Sequence, residues 1–560
     1  MFASKRQIGL ALIIIFAFSS LAWFFQIRSG TDEYHWYSIL PPVFAVACAI
    51  ATRHLLLSLS AGVISGSLLI NVPSAPLQFE SWSDSVITLL LQLWNVISDP
   101  FNLSVLAFII LMLIMISVVI LSGGLLAIVS WLERFAQGPR STQFVTSLMG
   151  FLVFIDDYAN VMIVGSSMRP ISDAMKISRE KLAFLVDATS APVAGIALMS
   201  TWIGYEVGIF AEVSTSLGFN RDAYSMFLDA LSFRFYCIFM ILFILINVWS
   251  GREFGSMLKA ERRSRTGAIV AEDAVLPTKI ENEVKPDEQA TIRASTALLP
   301  IGVLFLILFA GLWLDGGGLA LLSESMGALL SFTAWRNVIS ASENNVQVLI
   351  VAGAFSLLTA LICTVLLARL SFERILPAVK KGARSSFYPW VILILAWSLG
   401  GICEQIQTGP FLVAVTGEAI PAFIYPLIVF LLSAAAALAT GTSWGTMAIF
   451  IPITSQLAFQ LDGGSYGLIT MMSLAAVLDG AIFGDHCSPI SDTTIMSSIS
   501  TSCDHLHHVR TQFPYATLVA CCAMGLGYLP AVAGLGLSAS IALAVAVFMG
   551  FLKIFAKKVD

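Results

Sequence analysis

The chain has 560 residues, 58% hydrophobic and 12% charged, with a mean hydropathy of +0.87. So little charge excludes an ordinary soluble domain, and long apolar runs, rather than alternating segments of about ten residues, exclude a β-barrel. The net charge of −5 decides nothing about orientation, which follows the placement of Lys and Arg, and the eight cysteines lie scattered, mostly in apolar runs, with no disulfide framework.

At about 20 apolar residues per crossing, spans are expected near 8–27, 36–52, 55–72, 103–132, 182–203 and 227–249. A second set falls near 296–314, 346–368, 387–407, 465–500, 512–531 and 534–552. The first run follows Lys5-Arg6 without a small-residue cleavage signature, so 1–35 reads as an anchor helix. Basic clusters at Lys5/Arg6, Arg53, Arg134/Arg140, Arg169–Lys181, Arg252–Arg293, Arg369–Arg384, Arg510 and Lys553–Lys558 are all satisfied by a plasma (inner) membrane topology with both termini cytoplasmic. Arg28, Arg221 and Arg336 are left outside as lone charges.

Two segments do not work as crossings. Residues 141–168 are apolar but flanked by basic clusters on both sides, which predicts a hairpin with Phe154-Ile-Asp-Asp-Tyr-Ala-Asn160 at its tip. Residues 421–460 are broken by Thr442-Ser-Trp-Gly445, and no Lys or Arg occurs between Arg384 and Arg510. That predicts a second hairpin, entering from the opposite face. The expected fold is an all-α polytopic membrane protein, with about 12 transmembrane helices plus two re-entrant hairpins in two inverted-topology repeats. Residues 36–250 form the first repeat and 346–533 the second. Segment 251–295, with eight basic and eight acidic residues up to Arg293, reads as a solvated cytoplasmic linker. A connecting helix and outer loop fill 296–345, and 534–560 is a C-terminal helix with a basic tail.

The polar residues inside these runs carry the chemistry. A carboxylate near the bilayer centre costs at least about 2.5–3.5 kcal/mol on insertion scales, and non-helical backbone survives there only inside protein or along a wet cavity. Asp156 and Asp157, with Asn160, would bring adjacent carboxylates to the first tip; both cannot stay ionised cheaply, so one holds a proton or a cation. Asp187, Thr189 and Ser190 precede Pro192, which frees a carbonyl one turn earlier; together they offer hard oxygen ligands. Thr442, Ser443 and Thr446 supply hydroxyls at the second tip. Asp479, Asp485, Ser488, Asp492 and Thr493 crowd one predicted crossing with Pro489, and that crossing must break. His505, His507 and His508, near Arg510, are expected at the cytoplasmic face as a pH sensor. A zinc site built from these, His486, Cys487 and Cys503 matches no common ligand spacing.

Taken together, Phe154–Asn160, Ile163-Val-Gly165 with Met168-Arg-Pro170, Ile177–Leu182, Asp187–Pro192, Ser200-Thr-Trp202, Ala439–Thr446, Gly484–Thr494 and His508–Gln512 with Pro514-Tyr515 resemble the NhaC-type sodium/proton antiporter family. The resemblance covers roughly residues 100–250 and 345–530. It implies hairpins and broken helices meeting at a central site, in line with the residue-level reading.

The expected function is exchange of Na+ for H+ by alternating access, without a cofactor. The two ions would compete for Asp485 and Asp157 first and Asp187 next, with Na+ held at Asp157, Asp485, Thr442 and Ser443. The expected partners are these ions and the bilayer, with no nucleic acid, and a second copy of the chain as a candidate. An ion-coupled exchanger of a small organic acid or amino acid is the alternative. An intramembrane aspartyl protease is more remote, because Phe483-Gly-Asp485 lacks the glycine two positions before the Gly-Asp pair.

Overall fold

The structure is a computed structural model. It describes residues 36–559 except 53, 72–78, 220, 277–284, 325–333, 336, 337, 339–341, 343, 409, 410 and 412–419. The expected anchor at 8–27 lies outside the described residues. Nearly everything described is helix. In chain order the first part comprises α1 (Leu40–Thr52), α2 (Leu55–Asn71), α3 (Phe79–Ser98), α4 (Pro100–Leu121), α5 (Gly124–Leu132), α6 (Pro139–Leu152), α7 (Asp157–Ala174) and α8 (Arg179–Ala188). It continues with the short α9 (Ala191–Ala194), then α10 (Thr201–Leu217), α11 (Ala223–Leu231), α12 (Phe235–Ser250), β1 (Arg252–Glu253) and α13 (Gly255–Arg265). The remainder is α14 (Ser295–Asp315), α15 (Gly318–Glu324), α16 (Asn345–Leu366), α17 (Phe372–Ser385), α18 (Phe387–Gln405), α19 (Tyr425–Thr440), α20 (Ser443–Leu461), α21 (Leu468–Cys487), α22 (Asp492–Thr501), α23 (His505–Cys522), α24 (Leu529–Val532), α25 (Leu537–Ile554) and β2 (Lys557–Lys558).

Among the described residues, eight helices are long and apolar enough to cross a membrane, or nine if α11 and α12, bent by 44° at their junction, count as one span. The expected dozen is not reached by that measure, because several elements are short or broken. One motif occurs twice: two helices joined by a tight turn, followed by a helix that stops early. In the first, α6 and α7 fold back at 153–156, and α8 ends at Ala188 with only a four-residue turn of helix after it. In the second, α19 and α20 fold back at Gly441-Thr442, and α21 ends at Cys487 before α22 restarts at Asp492.

Glycines fuse each unit. A Cβ on Gly480 would sit 2.4 Å from the Phe430 carbonyl oxygen, and one on Gly484 would sit 2.2 Å from that of Ala434, so α21 and α19 touch backbone to backbone. Likewise a Cβ on Gly150 would meet Thr189 Oγ1 at 2.0 Å within the first unit, and one on Gly165 would meet Ser500 Oγ at 2.2 Å across the two units.

Three expectations are corrected. The crossing at 182–203 does not exist as one helix; its chain breaks after Ala188, and a separate buried helix, α10, starts at Thr201, capped by the Ser200 side chain, which accepts from the Trp202 amide. The stretch between the expected spans 55–72 and 103–132, where no helix was expected, contains α3, built inside out: Trp82, Leu90 and Trp94 are exposed, while Ser81 and Ser85 are buried against α2. Asn71 Nδ2 donates to Thr88 Oγ1 at 3.0 Å across that contact. The linker is not simply solvated. Arg252 and Glu253 pair antiparallel with Lys558 and Lys557, and α13 packs on α8 and α23. Ser178 donates to Glu261 from both its amide and its hydroxyl, each at 2.8 Å, and the buried Lys181 pairs with Glu253 at 2.8 Å.

Candidate functional site

The two turns meet at one cavity. Its volume is about 470 Å³, and its lining includes Asp156, Asp157 and Tyr158 from the first turn, Thr442 and Trp444 from the second, and Asp492 at the restart of the broken helix. The remaining wall is the apolar face of α4 with Lys381, Ser385 and Tyr388 from α17 and α18.

Each turn forms for a local reason. Asp156 is the N-cap of α7, its Oδ1 accepting from the Ala159 amide at 2.8 Å, and Thr201 donates to its Oδ2 at 3.3 Å. Asn160, one turn on, donates to the carbonyls of Gly150 (2.7 Å) and Thr189 (3.0 Å), tying the turn to the break after α8. In the second turn Gly441 takes φ +69, a left-handed conformation that costs a side chain energy. A Cβ there would also lie 2.6 Å from the Ile490 carbonyl oxygen, so this turn presses directly on the break between α21 and α22. Thr442 caps α20 through the Gly445 amide at 3.3 Å, Thr446 donates to the Thr442 carbonyl at 2.9 Å, and Ser488 donates to the Leu438 carbonyl at 2.8 Å. Tyr205 closes this side, its hydroxyl donating to the Trp444 carbonyl at 2.5 Å and its ring 4.3 Å from the indole.

The acids fall into three settings. At the cavity, Tyr158 donates to Asp492 across the two units, and Asp157, only 1% exposed, leaves Oδ2 without a partner among the described residues. Behind Asp492, Thr493 donates to Asp485 Oδ2 at 2.8 Å, while buried Asp485 Oδ1 is also without one. Deeper, Asp187 accepts from Ser497 (3.1 Å), Thr494 (3.4 Å) and Gln512 (2.6 Å), and faces His508 Nε2 at 3.3 Å. Thr494 also donates to the Asp485 carbonyl at 3.3 Å, linking these two settings. Thr189 and Ser190 turn their hydroxyls onto the carbonyls of Leu185 and Asp187; they shape the break without adding free ligands.

Asp479 stands apart from both. It accepts from Arg234 Nε at 2.9 Å, the Tyr236 amide at 2.7 Å and the Tyr528 hydroxyl at 3.0 Å. Arg234 in turn reaches Glu206 at 3.4 Å, and all three charged side chains are fully buried. Its oxygens are spent on that pair, so the structure does not bring it to the cavity. The expected histidine trio is also split. His505 sits between Ser498 and the Pro489 carbonyl, His507 lies near Glu180 and Asp273 at the surface, and His508 is buried against Asp187. Among the described residues, no three His, Cys, Asp or Glu side chains converge as metal ligands.

The sequence reading did not name Thr494, Ser497, Gln512, Arg234 or Glu206 as site residues. For Gln512 a signal existed: four residues after His508 on one helix, it shares that face. For Arg234 it was plainer still, a lone cation inside a predicted span.

Residues 193–530 match the Na+/H+ antiporter family. An uncharacterised protein of Haemophilus influenzae is 31% identical over 496 residues, covering 88% of this chain and 90% of that one. A malate-2H+/Na+-lactate antiporter of Bacillus subtilis is 35% identical over 118 residues, 21% of this chain and 23% of that one. Among solved structures, the YdaH transporter of Alcanivorax borkumensis shares the fold at a TM-score of 0.53 and 14% identity, over 82% of this chain and 91% of that one. With the family match spanning more than half its length, the chain belongs to the Na+/H+ antiporter family and is a multi-pass membrane transporter, not an enzyme.

Proposed function

We propose that this antiporter exchanges Na+ for H+ across the plasma membrane, with both termini cytoplasmic, and that the two ions compete at Asp157 and Asp485. The observation that carries the reading is the pair of buried carboxylates, each with one oxygen unmatched, beside a cavity reached by both turns. A buried acceptor without a donor is costly, and a cation or a proton relieves that cost equally well. One ion therefore displaces the other, and exchange needs no separate clutch. Asp492 and Thr442 line the cavity and would complete an oxygen-rich environment suited to a small hard cation, with the buried Ser443, next in sequence to Thr442, as the remaining proposed ligand. The two turns would be re-entrant hairpins approaching from opposite leaflets, in inverted repeats.

The test is Na+-dependent proton flux in everted vesicles. D485N and D157N should each abolish it while the protein still inserts; retained flux in either removes that residue from the site.

A second reading draws on the cavity itself. About 470 Å³ is far more than a bare Na+ requires and falls within the range of organic-ligand pockets. Lys381 adds a cationic group to the wall. Both favour an exchanger that carries a small organic acid or amino acid with the ion. Counterflow of labelled hydroxy acids and amino acids in proteoliposomes decides between the readings, since a pure cation exchanger shows none.

A further inference from the structure

Two recesses away from the cavity meet at two neighbouring residues. The first, about 440 Å³, is lined by Gly138, Arg140, Gln143, Glu253 and Arg265 among others. The second, about 650 Å³, is lined by Arg140, Phe144, Leu245, Val248 and Trp249. Arg140 and Ser141 belong to both. One recess is polar; the other is hydrocarbon along α6 and α12.

The polar recess is arranged for an anion. It contains the start of α6, a 14-residue helix whose N-cap, Gly138, has no side chain and whose first residue, Pro139, has no N–H; the Ser141 hydroxyl accepts from the Gly138 amide at 2.9 Å and the Gln137 amide at 3.1 Å. The amides of Arg140 and Ser141 are left to point outward, as the first turn of any helix leaves them. Gln143 is only 6% exposed, and its side-chain amide makes no hydrogen bond among the described residues. Arg265 spends Nη1 on the Met175 and Lys176 carbonyls and Nη2 on Glu261, while its buried Nε has no partner there. Arg140 lies across Gly251, where a Cβ would come within 2.5 Å of Nε. The one acid in the lining, Glu253, is already paired with Lys181 at 2.8 Å and accepts from Tyr515.

The apolar recess is open on its outer side. Trp249 is 76% exposed and Phe144 50%, and an indole at the end of an apolar helix belongs at headgroup level. A free phosphate would occupy the polar recess and leave this groove with nothing to cover it. A molecule with an anionic head and a hydrocarbon tail fills both.

We propose that the paired recesses bind one anionic glycerophospholipid. Its phosphate is held by Arg140, Arg265 and the α6 N-terminus, and an acyl chain lies against Phe144, Val248 and Trp249. The lipid braces the outer arm of the first hairpin against α12. This assignment is independent of which ion or solute is transported.

The test places the whole protein in nanodiscs with brominated-chain phosphatidylglycerol or phosphatidylcholine, reading Trp249 as the quenching lost in W249F. Phosphatidylglycerol should quench Trp249 at a lower mole fraction, R140Q should shrink that preference about fivefold, and R140K should keep it. Excess inorganic phosphate should leave the quenching unchanged. Native mass spectrometry of wild type and R140Q, both retaining the tryptophan, should show a phosphatidylglycerol adduct reduced in the variant. Equal quenching by both lipids, an unaltered preference or adduct in R140Q, or displacement by phosphate would overturn the assignment; the last would give the pocket to a soluble anion.

Discussion

Asp157 and Asp479 are both carboxylates at about full burial in the same helical membrane protein, yet the chain treats them in opposite ways. Every oxygen of Asp479 is matched, by a guanidinium, an amide and a phenol. Asp157 keeps an oxygen that accepts no hydrogen bond among the described residues, at the wall of a cavity, with the buried Trp202 indole as its neighbour. Depth in the membrane therefore does not separate a transport site from a structural ion pair. On the proposed reading what separates them is the setting. Asp479 is matched on both oxygens against Arg234, and even Glu206, whose second oxygen has no hydrogen bond among the described residues, faces that same guanidinium, whereas the free oxygen of Asp157 has no cation beside it among those residues.

That contrast can be broken first at the cavity. D157N and D485N should take Na+-dependent proton flux to background with little loss of thermal stability, since an amide can replace the lost acceptor and adds a donor. The reverse pattern belongs to the ion pair. R234Q leaves Asp479 and Glu206 buried without their cation, which costs about 3–5 kcal/mol and should lower the unfolding temperature sharply in a detergent thermal-shift assay. The triple variant R234M/D479L/E206Q removes all three charges and should recover most of that stability. If the triple variant were stable but unable to transport, the cluster would have a role beyond holding helices. A smaller effect sharpens the rule outside the membrane. Asp504 caps α23; partial burial alone would raise its pKa, but the amides of His507 and Val275 hold it below the usual carboxylate value. Its contribution is therefore present above the unfolded pKa, near 3.9, and lost as pH falls through the lower folded value. D504A should cost about 1 kcal/mol at pH 5–8, with the deficit shrinking below about pH 4; D504N, still a good cap, should lose less.

The parts of the fold that interrupt hydrocarbon with glycine, proline and hydroxyls were legible in the sequence. The first turn falls within Phe154–Asn160 and the break at Ser488–Ser491 at Pro489, as expected, and the second turn, at Gly441-Thr442, falls at the leading edge of the expected Thr442–Gly445. α3 was hidden because its polar side faces protein and its apolar side faces outward, the reverse of the usual amphipathic pattern. The histidines were misread as a group because closeness in sequence is not closeness on a helix. His507 and His508 differ by about 100° around the axis, which sends one to the surface acids and the other to Asp187. No spacing argument could have shown which acids find donors, since those of Asp479 are Arg234, Tyr236 and Tyr528, far away along the chain.

The bare backbone contact of Gly480 and Gly484 with Phe430 and Ala434 sets a mechanical condition on turnover. With backbone pressed on backbone at these two glycines, only the small Ser433 and Ala437 beside them, and the Phe430 and Phe483 rings stacked at 5.9 Å, α19 and α21 have no room to slide past one another. Whatever displacement turns the cavity from one compartment to the other must carry that hairpin arm and its interrupted partner as a single rigid piece. Cysteine crosslinks placed within the piece should then be silent, and those tying it to α4 or α18 should arrest the cycle.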